Sequence, residues 1–319
     1  MKEVAVGIDI GGTFTKYGLV DKDGNCLISG SIATTQEKEL DKYLQLLKET
    51  IEEAKANIDD DIEIKGIGIG APNGNFYKGT IEYAPNLSWQ GIIPFIEEFK
   101  KLYDVPMFLT NDANAAAIGE MVYGGAKNMK NFIIITLGTG LGSGLVVNGE
   151  LVYGHDGFAG ELGHLTIVPG GRMCATGRRG SMETYVSAPG IRRTVFELLA
   201  DSLEDSEFRD VTFNNLTAMM ISDAAKRGDK IALEAFEKTG KYLGEALADT
   251  VAHTSPEAIF LFGGLANAGD LIMEPTKRHL EKNLLKIFQN KVKILPSQLT
   301  ETNAAVMGAS ALVWKELGK

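Results

Sequence analysis

Two stretches of this chain carry the same unusual pattern, and the repetition limits the folds open to it. In the first, an apolar run over residues 4–10 meets Gly11-Gly12-Thr13, returns over residues 17–20 and turns at residues 21–24. In the second, Phe132-Ile133-Ile134-Ile135-Thr136 meets a glycine-rich turn over residues 137–144, returns over residues 145–147 and turns at Asn148-Gly149. The offset is about 127 residues, a domain-scale duplication rather than a solenoid period. Glycine at a strand turn lets backbone N–H groups approach a ligand with no Cβ in the way, and such groups suit phosphate oxygens. One copy reads as a plain hairpin. Two copies in corresponding places can hold a polyphosphate between them.

Between the hairpins, residues 105–109 read as a buried strand, and the alanine-rich run that follows reads as a helix. Asn111 and Asp112 stand at that junction, where open α/β sheets place their ligand sites. A carboxylate there faces helix N–H groups, which favour its ionised form, and an ionised carboxylate can accept a proton from a hydroxyl. Taken alone, Asp112 reads better as a helix cap than as a base; the rest of the chain shifts that balance. Asp9, beside the first glycine turn, is suited to hold Mg²⁺ directly or through water.

Further strands are expected over residues 62–70, 80–83, 258–262 and 292–295, and helices over 91–103, 231–254, from 270 onward and over 304–317. Thr34-Thr35-Gln36-Glu37 has the form of a capping box. It precedes an amphipathic helix with Leu40, Tyr43, Leu44, Leu47, Ile51 and Ala54 on one face. Asn86 can hydrogen-bond a polar ligand or make an Asx-turn. Glu161, His164 and Glu183 lie in a loop-rich region, and their carboxylates can accept the several O–H donors of a sugar. Gly263-Gly264 forms a third glycine turn at a strand end, a place for a nucleotide base or ribose or simply a tight turn.

At 319 residues the chain exceeds one ordinary core, so two domains are expected. Its 44% hydrophobic content is that of a globular protein. A net charge of -10 argues against nucleic-acid and membrane-surface partners, which would repel it. Two distant cysteines, Cys26 and Cys174, are too few for a disulfide framework. The first residues enter a strand-like run with no signal-peptide core, and no apolar run approaches a membrane span of about 20 residues. A soluble cytoplasmic protein is expected.

Asp9-Ile10-Gly11-Gly12-Thr13, Asn111-Asp112-Ala113-Asn114, Leu137-Gly138-Thr139-Gly140-Leu141-Gly142, Gly160-Glu161-Leu162-Gly163-His164 and Phe262-Gly263-Gly264 follow one another in this order. Together they resemble the ROK family (repressor, open reading frame, kinase) of bacterial sugar kinases and regulators, and most of all its glucokinases. The resemblance runs from about residue 4 to about residue 315. It implies an α/β, actin-like ATPase (RNase H-like) fold of two domains with the active site in the cleft between them. Residues 1–115 plus 302–319 are expected to form the smaller domain and residues 116–301 the larger. The implied activity is ATP- and Mg²⁺-dependent phosphorylation of a hexose, glucose at its 6-hydroxyl first. N-acetylhexosamine, mannose or fructose is the alternative substrate.

By this resemblance Asp112 is the general base, and Asn111, Glu161, His164 and Glu183 contact the sugar, with Asn86 a further candidate. Gly11, Gly12, Thr13, Thr139 and Gly140 match the phosphate loops, Gly263 and Gly264 the nucleoside turn, and Lys16 can reach a phosphate or solvent. A homodimer is implied. The family's other branch, sugar-responsive regulators, carries a DNA-binding domain ahead of the first glycine turn, for which Gly11 leaves no room here. One site departs from the family. Where many members place C-x-C-G-x-x-G-C for zinc, this chain has Cys174-Ala175-Thr176-Gly177-Arg178-Arg179-Gly180-Ser181. Neutral hydroxyls are poor zinc ligands beside thiolates, so no structural zinc is expected.

Overall fold

A computed structural model of the chain describes residues 1–299 and 304–318. The chain divides into two compact units. Unit 1 comprises Met1–Met129, Gly144–Gly160 and Gln298–Lys319; unit 2 comprises Lys130–Ser143 and Glu161–Ser297. In chain order the elements are β1 (Lys2–Ile10), β2 (Phe14–Asp21), β3 (Cys26–Ala33), α1 (Leu40–Ala56), β4 (Ile62–Gly70), β5 (Gly74–Asn75), β6 (Thr80–Glu82), β7 (Ile92–Ile93), α2 (Phe95–Lys100), β8 (Met107–Thr110) and α3 (Asp112–Val122). There follow β9 (Phe132–Leu137), β10 (Leu141–Val147), β11 (Glu150–Leu151), α4 (Ala188–Asp201), α5 (Ala218–Arg227), α6 (Lys230–Thr254), β12 (Ala258–Phe262), α7 (Asp270–Asn283), β13 (Lys293–Pro296) and α8 (Ala304–Leu317).

Unit 1 is built on a sheet of order β3-β2-β1-β4-β8, with β1, β4 and β8 parallel and β2 and β3 antiparallel. Side chains alternate between faces. Val4, Val6, Ile8 and Ile10 of β1 and Ile67 and Ile69 of β4 enter one core with Tyr43, Leu47 and Ile51 of α1 and Phe95 and Phe99 of α2. The other face carries glycines, and α8 lies on it. A Cβ added to Gly7 would meet the Val306 carbonyl oxygen at 2.0 Å, and one on Gly68 would meet that of Ala309 at 1.8 Å. Only hydrogen at those positions lets the helix backbone come down onto the strands. Helix α3 meets α8 in the same way: a Cβ on Gly308 would lie 2.3 Å from the Ala115 carbonyl oxygen. This packing keeps α3 whole within unit 1, past the boundary read at residue 115. The boundary read at residue 302 lies outside the described residues.

Two local readings change. The capping box does not cap. Helix α1 starts after Glu39, which makes no side-chain cap bond, and the buried Thr34 hydroxyl is used elsewhere. The expected helix over 91–103 is shorter, because Ile92–Ile93 pair with β6 and Pro94 disfavours helix in the residue before it, so α2 begins at Phe95. Strand β3, unread in the sequence, extends the sheet beyond β2.

Unit 2 repeats the plan. Here β9 leads into its neighbour β10, β9 lies parallel to β12, and β12 lies parallel to β13. The order β10-β9-β12-β13 therefore matches β2-β1-β4-β8. Phe132 and Phe260 meet edge to face at 5.8 Å in its core. Helices α6 and α7 approach closely where Gly244 faces the Thr276 carbonyl oxygen, 2.6 Å from where a Cβ would sit. Strand β10 continues covalently into unit 1, where Val146 pairs with Leu151 of β11.

Candidate active site

In unit 1 the parallel strands β1, β4 and β8 end in one row, with Asp9 beside Gly70 and Gly70 beside Thr110. Asp9 points to the same face as Gly7 because the two are two residues apart. Asp112 begins α3 two residues after β8 ends. Gly70 lies near both acids: a Cβ there would lie 3.3 Å from Ala115 Cβ, 3.6 Å from Asp112 Cα and 3.9 Å from Asp9 Oδ1. Gly70 stands in the sequence only as the end of an expected strand; the alternation Gly66-Ile67-Gly68-Ile69-Gly70 is the local signal that could have singled it out.

The electrostatics of this pair are those of two crowded acids. Burial, then the charge of Asp112, push Asp9 from 3.8 up to about 6, against the pull of Lys16, its cross-strand partner. Solvent reaches Asp112. The protein crowded around it still removes part of the hydration an ion needs, and its carboxyl rises too, opposed by amide hydrogen bonds from Ala113 and its own N–H. The helix amides do favour the ion, as their geometry requires, but desolvation outweighs them. Asn111, not Asp112, is the N-cap: its Oδ1 accepts the Ala113 N–H at 2.9 Å. Asp112 Oδ1 shares that donor at 2.8 Å.

The first glycine turn closes through Gly11 N–H donating to the Phe14 carbonyl at 3.0 Å. Neither Gly11 nor Gly12 has a left-handed φ. Their need for glycine is one of space, because a Cβ on Gly12 would lie 2.7 Å from the Asn86 carbonyl oxygen and 2.9 Å from its Cβ. Asn86 is thereby brought against the turn, and Thr13 and Lys16 are exposed beside it. A buried hydroxyl chain braces the turn from behind. The Thr34 hydroxyl donates to the Gly11 carbonyl at 2.7 Å, so it accepts from Thr15 at 2.9 Å, which in turn accepts from Tyr43 at 2.7 Å. Sequence reasoning missed this brace because its members are 19 and 28 residues apart.

In unit 2 the turn at Gly138–Gly140 is held by three contacts. Gly138 N–H donates to the Gly140 carbonyl at 3.0 Å, and Ala188 N–H donates to the Gly138 carbonyl at 2.9 Å. Glu183 Oε2 accepts the Leu141 N–H at 3.0 Å and leaves no room for a Cβ on Gly140, which would lie 2.6 Å away. Glu183 is thus docked on the glycine turn by one oxygen. Thr139 is exposed at its tip. The turn after β12 meets the same place: Gly263, at φ +102, stacks on Leu137, 2.7 Å from its carbonyl oxygen to a would-be Cβ, and Leu265 N–H donates to that oxygen at 3.1 Å. Gly264 stands open. Leu162 N–H donates to Ser143 Oγ at 3.2 Å, which ties the turn carrying Glu161 and His164 to β10. Glu161 is exposed, and its Oε2 lies 3.9 Å from His164 Nε2. His164 Nδ1 is buried without a hydrogen-bond partner.

The donor set near this loop does not fit zinc. Cys174 Sγ and Thr176 Oγ1 hydrogen-bond each other at 2.8 Å, and Ser181 is buried. One thiol, one imidazole and two neutral hydroxyls lack the thiolates a structural zinc needs. The carboxylate oxygens of Asp9 and Asp112 fit Mg²⁺ better, because a hard cation takes oxygen donors and would offset the charge of Asp112 that raises the Asp9 carboxyl.

The ROK family model matches residues 5–316 of the chain. The glucokinase of Halalkalibacterium halodurans is 35% identical over 97% of this chain and 94% of that protein. The crystal structure of a ROK family glucokinase from Streptomyces griseus in complex with glucose and AMPPNP has a TM-score of 0.81 at 29% identity, over 98% of this chain and 99% of that one. A ROK family transcriptional regulator, a homologue of the E. coli MLC protein, has a TM-score of 0.88 at 27% identity, with 99% of this chain covering 79% of that one.

Proposed function

The chain belongs to the ROK family, and on that premise we propose that it is an ATP-dependent glucokinase, transferring the γ-phosphoryl group of ATP to the 6-hydroxyl of glucose. The observation that carries the reading is Asp112 at the head of α3, open to solvent and with raised proton affinity. A base works best when its pKa approaches the working pH. Its support is the Streptomyces griseus relative, whose structure holds glucose and AMPPNP.

As the 6-hydroxyl oxygen attacks the γ-phosphorus, its proton passes to the Asp112 carboxylate and ADP departs. Asn111 has its oxygen committed to the cap and offers its Nδ2 donors to a sugar hydroxyl. Glu161, His164 and Glu183 take further hydroxyls, Glu183 with the oxygen it does not spend on Leu141, and Asn86 is within reach of the Gly12 turn. Gly11, Gly12, Thr13, Thr139 and Gly140 supply amides to the phosphates, Lys16 a charge, and Gly263 and Gly264 a surface for the nucleoside. Asp9 would hold Mg²⁺, which neutralises charge on the transferring group. Most of the acceleration comes from positioning. Among the described residues no helix is long and apolar enough to cross a membrane. A cytoplasmic homodimer feeding glucose into carbohydrate breakdown completes the proposal, and gel filtration checks the dimer.

The test is ADP release from Mg-ATP with glucose, mannose, fructose, N-acetylglucosamine, N-acetylmannosamine or no sugar. Glucose should give the highest kcat/KM. A clear preference for another hexose moves the substrate and keeps the reaction. A sugar-sensing regulator is the second reading, favoured by the likeness to the ROK regulator. Folded, ATP-binding protein that releases no ADP with any sugar would replace the kinase by that reading.

The raised acids also set a pH dependence of stability. Folded Asp9 releases its proton near pH 6, and unfolded Asp9 near the ordinary carboxylate value. Between those values the folded protein binds more protons, so ligand-free stability falls as pH rises through this window and levels off above it. The loss is at most about 3 kcal/mol. Urea unfolding at pH 4.5 and pH 7.5 should show it, and Asp9→Asn should flatten the difference. Equal slopes in wild type and variant would remove Asp9 as the cause.

A further inference from the structure

The loop from Leu165 to Ser181 leads to the single turn Met182–Thr184 that bears Glu183, and it is held by an arginine. Every guanidinium N–H of Arg172 has a partner. Nη1 donates to the Thr184 carbonyl at 2.9 Å and to the Gly190 carbonyl at 3.0 Å. Nη2 donates to Thr194 Oγ1 at 2.9 Å and Glu197 Oε2 at 2.6 Å, and Nε to Glu197 Oε1 at 2.8 Å. The plane lies over the Tyr185 ring at 4.4 Å. Its backbone is tied as well, with the N–H donating to Tyr185 Oη at 2.9 Å and the carbonyl accepting Gly180 N–H at 2.8 Å. The side chain is only 10% exposed.

These bonds form a continuous path. Helix α4 holds Arg172, Arg172 holds the Thr184 carbonyl, Thr184 adjoins Glu183, and Glu183 rests on Leu141 at the glycine turn. In this loop the residues that could have bound a metal are two hydroxyls and one thiol, so no metal cross-link is available to do this work. We infer that Arg172 is the positioning residue of the proposed sugar-binding loop. It fixes Glu183 against the glycine turn and leaves phosphoryl transfer itself to Asp112. This rests on the glucokinase reading for its kinetic consequence, though not for its structural one. A planar five-donor fork is needed, because an ammonium can reach only part of this partner set.

The experiment compares Arg172→Lys, Arg172→Met and the milder Glu197→Gln, whose partner position is largely solvent-exposed. Steady-state kinetics should show KM for glucose raised about tenfold in the Arg172 variants and less in Glu197→Gln, with kcat and KM for ATP within about threefold of wild type. In parallel, hydrogen exchange should speed up about tenfold or more at the amides of residues 182–185 and not in the core of α6. Unchanged glucose KM in variants whose wild type phosphorylates glucose would overturn the inference. So would exchange that stays slow at residues 182–185, or that accelerates equally in α6, which would mean general destabilisation. Should wild type phosphorylate no sugar, the glucokinase reading fails, and the exchange pattern alone still decides the role of Arg172.

Discussion

Asp112→Asn is expected to fold like the wild type and to turn over glucose about 10²–10⁴-fold more slowly. The substitution keeps the shape of the side chain and an oxygen for the Ala113 N–H. The helix keeps its cap, since Asn111 supplies it. What is removed is the capacity to accept the hydroxyl proton. The variant also removes a negative charge beside Asp9, so the Asp9 carboxyl should fall back toward its ordinary range and the ligand-free protein should gain stability at neutral pH. The combination of a lower kcat and an equal or higher melting temperature is specific to a charged group kept for chemistry at some cost in stability. Near-normal turnover in the folded variant would sink the assignment of Asp112 as base. A melting temperature that drops sharply would instead make it a structural cap.

Gly68→Ala is expected to be the most damaging single methyl in unit 1, costing about 3 kcal/mol or more. Its Cβ would sit 1.8 Å from the Ala309 carbonyl oxygen and 2.7 Å from the carbonyl carbon. Both atoms belong to the backbone of α8, so no rotamer change relieves the clash. The helix must lift from the sheet, which opens the contacts of Gly7 and Gly18 with α8 as well and exposes the centre of the sheet to water. Gly66→Ala is the comparison. Its Cβ meets a terminal methyl of Val313 at 2.8 Å and the Pro106 carbonyl oxygen at 2.9 Å, and the former can rotate away. Urea midpoints should fall in the order wild type, Gly66→Ala, Gly68→Ala. A Gly68→Ala midpoint equal to that of wild type would mean that α8 does not lie on this face as described.

The sequence carried much of the architecture because strands and helices announce themselves over a few neighbouring residues. The apolar run over residues 4–10, the alanine-rich run after Asp112 and the recurrence of a strand–glycine turn–strand unit are local patterns. Each is read without knowing what lies beside it. The place of Asp112, at a strand end and a helix start, is likewise a one-dimensional fact, and so is the absence of two cysteines from the loop at Cys174. Where local reading failed, a distant partner had a stronger claim. Thr34 has the sequence of a cap, but the Gly11 carbonyl and the Thr15 hydroxyl take its oxygen, and Ile92 and Ile93 were drawn from a helix into a strand by β6.

What only the tertiary structure decided is which groups meet. Parallel registers set Asp9 beside Gly70 and Gly70 beside Thr110; burial raises the proton affinity of both Asp9 and Asp112, and the charge of Asp112 raises that of Asp9 further. The glycines within β1 and β4 carry no local mark of their role, which is to let α8, more than two hundred residues further on, lie on them. Glu183 could be read as a free carboxylate, and folding lends one of its oxygens to Leu141, with Arg172 behind it. Periodicity belongs to the chain and can be read along it. Proton affinity, close approach and the sharing of a hydrogen bond depend on distances through space, which exist only once the chain has folded.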